Sequence, residues 1–143
     1  MKRTFRIVLD TNVFISIFLL RGRSSVLVPA LLSRYIILLV SAPILKEYFE
    51  VSTRPKFGYS AQEIRQLLEG IRPYTELITS LKPLTMQLSD SHDLKFLECA
   101  IFGSADWVVS GDHDLLTLER IHHIPILTMM ELAKRIGMYS EKT

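Results

Sequence analysis

Short apolar runs, each closed by a polar or helix-starting residue, alternate with helical segments along nearly the whole chain. That alternation sets the fold class. Phe5–Leu9 reads as a strand ending at Asp10-Thr11-Asn12, which can cap a helix over residues 13–20. A helix over 26–34 leads to a strand over 35–40, after which Ser41 and Pro43 start a helix running to about residue 53. Residues 54–59 read as a loop, Ser60 opens a helix over Ala61–Ile71, and residues 74–79 form a short strand. The remainder reads as a helix over 93–102, a strand over 107–110, a helix over 114–120, a strand over 125–128 and a helix over 131–136. Strands and helices in this order imply an α/β fold, a three-layer α/β/α sandwich with a mostly parallel central sheet. The 143 residues suit a single domain with its core over about 5–136.

Composition agrees with that reading. Hydrophobic residues make up 48% and charged residues 22%, with mean hydropathy +0.24. Strands buried on both faces are apolar throughout, which explains part of the surplus; a subunit interface would explain more. The longest apolar stretches, 13–20 and 36–40, are far shorter than the roughly 20 residues that span a bilayer. Lys2 and Arg3 precede apolar residues, but Asp10 and Asn12 interrupt the run, so no signal peptide and a cytoplasmic location are expected. The lone Cys99 excludes a disulfide within the chain and reads as a small buried hydrophobe. A net charge of +2 permits a nucleic-acid partner without requiring one, and Arg3, Arg6, Arg21, Arg23 and Arg34 read as solvated surface charges.

The acids carry the chemical information. Asp10 follows the first strand directly, Asp112 and Asp114 follow the strand over 107–110, and Asp93 opens a helix that is apolar nearly all round. In open parallel sheets, ligands bind at the carboxyl ends of strands, near the point where the strand order reverses. Glu47 lies at the edge of the stripe Ile44, Leu45, Tyr48, Phe49 and Ser52, which should face the sheet, whereas Lys46 and Glu50 point away. Each acid also has an ordinary reading, as a helix cap or a solvated helix residue, but unrelated caps need not converge on one rim. Carboxylates gathered this way repel unless a cation compensates. Oxygen donors without supporting cysteines favour Mg²⁺ or Mn²⁺ over zinc. Such ions polarise phosphoryl oxygens and activate water, so phosphodiester hydrolysis is the natural chemistry.

Four segments, in order, resemble the motifs of PIN-domain proteins. They are Val8-Leu9-Asp10-Thr11-Asn12-Val13, Ser41-Ala42-Pro43-Ile44-Leu45-Lys46-Glu47, Asp93-Leu94-Lys95-Phe96-Leu97-Glu98-Cys99-Ala100 and the stretch from Ala105 to Leu116 containing Ser110-Gly111-Asp112-His113-Asp114. The similarity is strongest to the bacterial and archaeal toxins of toxin–antitoxin systems. It implies a metal-dependent endoribonuclease, dimeric, held inactive by a partner antitoxin. Carried over, it assigns metal binding and catalysis to Asp10, Glu47, Asp93 and Asp112, with Asp114 a fifth metal ligand. Asn12 and Ser110 would orient ligands through hydrogen bonds, and attack by water would leave a 5′-phosphate and a 3′-hydroxyl. Many relatives carry Asp-Pro-x-Asp followed by Asn or Asp before the buried helix. Here Asp90-Ser91-His92-Asp93-Leu94 lacks the proline and the trailing polar residue. That departure keeps open an alternative, a PIN-like module of weak or no activity that binds RNA or a protein.

Other residues draw plainer expectations. His92 and His113 read as loop residues, His122-His123 as a turn and Trp107 as core or interface. A phosphoacceptor receiver fold also gathers acids at strand tips, but it needs an N-terminal aspartate pair and a lysine after a late strand. Here Asp10 stands alone and Met129-Met130 follow the last strand. The apolar helices near the N-terminus are the candidates for a dimer surface.

Overall fold

The computed structural model describes residues 3–20, 27–84 and 93–141. The loop arginines Arg21 and Arg23 and the stretch Asp90-Ser91-His92 lie outside these residues. The strands are β1 (Phe5–Leu9), β2 (Ile36–Val40), β3 (Thr75–Leu77), β4 (Trp107–Val109), β5 (Arg120–Ile121) and β6 (Ile124–Leu127). The helices are α1 (Thr11–Phe18), α2 (Leu27–Leu32), α3 (Ala42–Ser52), α4 (Ala61–Ile71), α5 (Leu94–Phe102), α6 (His113–Leu118) and α7 (Met129–Glu141).

The sheet runs in the order β3-β2-β1-β4-β6-β5, parallel except for β5. From β1 the chain winds outward through β2 to β3, then returns to place β4 on β1's other side. The order therefore reverses between β1 and β4, and the carboxyl ends of those two strands flank the switch point. Two-residue periodicity divides the side chains between layers. Val8 and Val108 join Phe14, Leu39, Ile44, Tyr48, Phe96 and Leu97 on one side; Ile7, Leu9 and Val109 join Val13, Ile17, Leu31, Leu132 and Ile136 on the other. The three layers expected from the sequence are present. Trp107 is core, stacked on Phe5 with ring centroids 4.6 Å apart, and Cys99 is fully buried, its thiol pushed up to about 12 by burial. No helix among the described residues is long and apolar enough to cross a membrane.

Three local expectations need correction. The helix over 114–120 stops at Leu118, because Glu119 turns left-handed (φ 63°) and Arg120 pairs with Pro125 in a short antiparallel ladder. The last helix begins earlier and runs longer than 131–136. Its start is fixed by reciprocal hydrogen bonds, Thr128 N–H to Glu131 Oε1 at 3.0 Å and Glu131 N–H to Thr128 Oγ1 at 3.2 Å. Arg6 is not a solvated charge. Its guanidinium clasps both carboxylate oxygens of Glu76 at 2.9 and 2.8 Å and also donates to the Gly103 carbonyl. The clasp ties β1 to β3 across β2 and to the end of α5.

Candidate functional site

At the switch point the chain leaves β1 through Asp10, which has extended backbone and caps α1. Its Oδ1 accepts from Val13 N–H at 2.9 Å, while its Oδ2 accepts from the Ser110 hydroxyl and, at 3.3 Å, from Gly111 N–H. Asp10 is only 5% exposed. Burial raises its pKa above the ordinary value, the Ser110, Val13 and Gly111 hydrogen bonds oppose the rise, and the charge of Asp112 adds to it. Ser110 directly follows β4 and is fully buried, and its hydroxyl also accepts from Asp112 N–H at 2.9 Å, so one serine joins the two strand tips. Asp112 caps α6, its Oδ1 accepting from Asp114 N–H at 2.9 Å. The ordinary reading of Asp10 and Asp112 as helix caps is thus correct, and the same caps face the site.

Helix α3 delivers Glu47. Ser41 caps this helix, and Ile44, Tyr48 and Ser52 are buried along its inner face. The Tyr48 ring stacks on Phe14 of α1 with centroids 4.0 Å apart and 6° between planes. Its hydroxyl donates to the Leu9 carbonyl at 2.5 Å, and burial holds its pKa well above the usual phenol value. A stacked aromatic pair adds about 0.5–1.5 kcal/mol to the packing of two elements. Here it fixes α3 against α1, so Glu47 meets the start of α1, where its Oε2 accepts from the Thr11 hydroxyl. Its other oxygen, Oε1, accepts from the Lys95 ammonium of α5 at 2.5 Å.

Asp93 precedes α5 and is 7% exposed. Asp10, Glu47, Asp93 and Asp112 line a single cleft of about 250 Å³, shared with Thr11, Asn12 and Arg54. The four principal acids and Asn12 are therefore brought to one place. Ser110 lies beneath, holding Asp10, while Asp114 stands in the first turn of α6 and is not among the cleft's lining residues. His113 starts the same helix and is exposed. Sequence reasoning left Thr11, Lys95 and Arg54 without roles. Thr11 and Lys95 each lie within two residues of a proposed acid, which was the available signal; Arg54 offered none.

An all-oxygen set of four carboxylates facing one cleft fits a hard divalent cation in donor chemistry and in placement. Among the described residues no three His, Cys, Asp or Glu side chains stand close enough together to form a ready ligand group. The expected five-ligand cluster is not preassembled. Three of the carboxylates are engaged by internal donors: Asp10 by Ser110, Glu47 by Lys95, Asp112 by a backbone N–H. An arriving cation would draw Glu47 away from Lys95.

The sequence matches a family model described as PIN domain over residues 6–114. Among solved structures, that of the PIN domain endonuclease Utp24 superposes with a TM-score of 0.50, covering 86% of this chain and 84% of that one at 19% sequence identity. At that identity the likeness speaks to the fold. No curated protein matches the sequence significantly.

Proposed function

The chain belongs to the PIN domain family, whose members are generally nucleases, and on that footing we propose that it is a divalent-metal-dependent endoribonuclease acting as the toxin of a toxin–antitoxin pair. The observation that carries the reading is the convergence of Asp10, Glu47, Asp93 and Asp112 on one cleft at the switch point of the sheet. Asp10, Glu47, Asp93 and Asp112 would hold Mg²⁺ or Mn²⁺, with Asp114 two residues on as a fifth ligand. Such an ion supplies polarisation of the phosphoryl oxygen and activation of water. In the hydrolysis, a water oxygen bonds to phosphorus while the bond to the 3′ oxygen breaks, leaving a 5′-phosphate and a 3′-hydroxyl. The chain's own part is positioning. Ser110 and two backbone N–H groups hold Asp10 in one rotamer, Tyr48 and Phe14 hold α3 in register, and exposed Asn12 offers its amide at the rim.

The decisive experiment is cleavage of labelled single-stranded RNA by purified protein in Mn²⁺, Mg²⁺ or EDTA, with Asp10→Asn and Asp93→Asn alongside. Cleavage should require the metal and be lost in both variants, while their melting temperatures are kept or raised because a repelling charge has gone. Full activity in both variants would sink the site assignment. A second reading, a module that binds RNA or protein with little or no cleavage, draws support from the Lys95–Glu47 contact and from Leu94 in the place of a polar residue. Absence of cleavage by well-folded protein favours it.

We also propose a homodimer and a cognate antitoxin as partners. Exposed Leu20, Val28 and Leu32 near α1 and α2 support the first. Sedimentation of the purified chain tests it.

A further inference from the structure

The acidic cleft does not end at its acids. A second groove of about 430 Å³, lined by Lys46, Glu47, Glu50, Arg54 and Lys95 among others, shares Glu47, Val51 and Arg54 with it. The two form one track. Its charge changes along the way: four carboxylates and one arginine line the first part, three cations and two carboxylates the second.

Arg54 stands at the junction. Helix α3 ends at Ser52, and Arg54 precedes Pro55, whose ring disfavours helical backbone in the residue before it. Arg54 accordingly takes φ −63°, ψ 140°. Glu50, four residues back and its natural partner had the helix continued, lies instead 3.9 Å from Lys46. The other cations nearby are occupied: Lys95 by Glu47, Lys46 weakly by Glu50. Elsewhere Arg3, Arg6 and Arg72 are ion-paired and Arg34, Arg65 and Arg135 lie over aromatic rings. Among the described residues Arg54 makes no ion pair, side-chain hydrogen bond or ring contact, although it lines a cleft rich in carboxylates. A guanidinium left open beside an acidic reaction cleft suits a phosphate, whose oxygens match its planar fork.

Resting on the nuclease reading above, we infer that Arg54 grips the substrate phosphate next to the bond being cut, and that the groove toward Lys46 carries the flanking single strand. Arg54 is a positioning residue: it sets where the strand lies relative to the acids.

The test is binding of a fluorescein-labelled single-stranded RNA in EDTA, by anisotropy across a salt series, together with Mn²⁺ titration by calorimetry. Arg54→Ala should weaken RNA binding by about tenfold and lower the magnitude of the log–log salt slope by about 0.7, the value for one single-strand phosphate contact. Arg54→Lys should restore the slope but only part of the affinity, since the charge survives and the fork does not. Mn²⁺ affinity should be unchanged in both. Wild-type protein that binds RNA while Arg54→Ala binds it equally well, with the same slope, overturns the inference and leaves the nuclease reading standing. So does a rise in Mn²⁺ affinity with RNA binding unchanged, which would make Arg54 a counter-charge for the acids. Wild-type protein that binds no RNA even at low salt overturns both.

Discussion

The Lys95 ammonium lies 2.5 Å from the Glu47 carboxylate, joining α5 to α3 at the edge of the acidic cleft with both side chains about one-fifth exposed. An internal cation thus sits on one of the four acids that face the proposed metal. A partly screened pair stabilised by about 1 kcal/mol weakens a competing cation by about fivefold, because the contact must break before Glu47 can turn to the ion. Lys95→Met should therefore bind Mn²⁺ about fivefold more tightly while melting at a lower temperature in EDTA. Calorimetric titration and melting curves with and without metal read both effects. Weaker Mn²⁺ binding in the variant would show that Lys95 organises the acids rather than competing for them.

Two glycines should respond in opposite directions to the same substitution. A Cβ at Gly103 would lie 2.7 Å from the Cys99 carbonyl oxygen and 2.9 Å from Leu39 Cδ1, so backbone and packed core would both have to shift. Gly103→Ala should destabilise the fold by about 1–3 kcal/mol. Gly70, in α4, has nothing within 4 Å of such an atom, and Gly70→Ala should stabilise by about 0.5–1 kcal/mol through lost unfolded-state freedom. Urea unfolding of both variants measures the contrast. Equal effects would mean that the close approach at the end of α5 relaxes freely.

Much of this arrangement was legible because the signals are local. Asp10 and Asp112 each end an apolar run and start a helix, so strand tip, cap and site residue coincide in one position. Glu47 was legible from helical spacing, and its neighbours Ile44, Tyr48 and Ser52 are buried as the stripe required. Contacts between distant segments were not legible. Lys95 meets Glu47 across 48 residues and Arg6 meets Glu76 across 70, and no periodicity in either segment encodes the partner. The β5 strand escaped notice for another reason. Two residues are too few to show alternation, and the turn that frees them depends on Glu119 and His122 adopting positive φ without glycine. Arg54 was read as loop, which is correct for its backbone; its standing between two grooves is a property of the assembled helices.

The Arg6–Glu76 clasp makes stability depend on pH with a definite sign. The hydrogen bonds from Arg6, aided by its charge, hold the Glu76 carboxyl below its ordinary value of 4.5. The folded state then binds this proton less readily than the unfolded chain does. The stabilisation is present in full above the unfolded value and fades as pH falls through the lower folded value. Wild type should exceed Glu76→Gln in urea midpoint at neutral pH, and the gap should close as pH falls through the lowered folded value. Solvent reaches both partners, with Glu76 43% exposed, so the gap should be modest and should narrow with added salt. The edge strand β3 is short and gains much of its tie to β1 from this pair, so exchange of its amides should quicken in the variant at neutral pH. A gap that stays constant across the pH range would assign the stabilisation to hydrogen bonding that glutamine replaces poorly, rather than to charge.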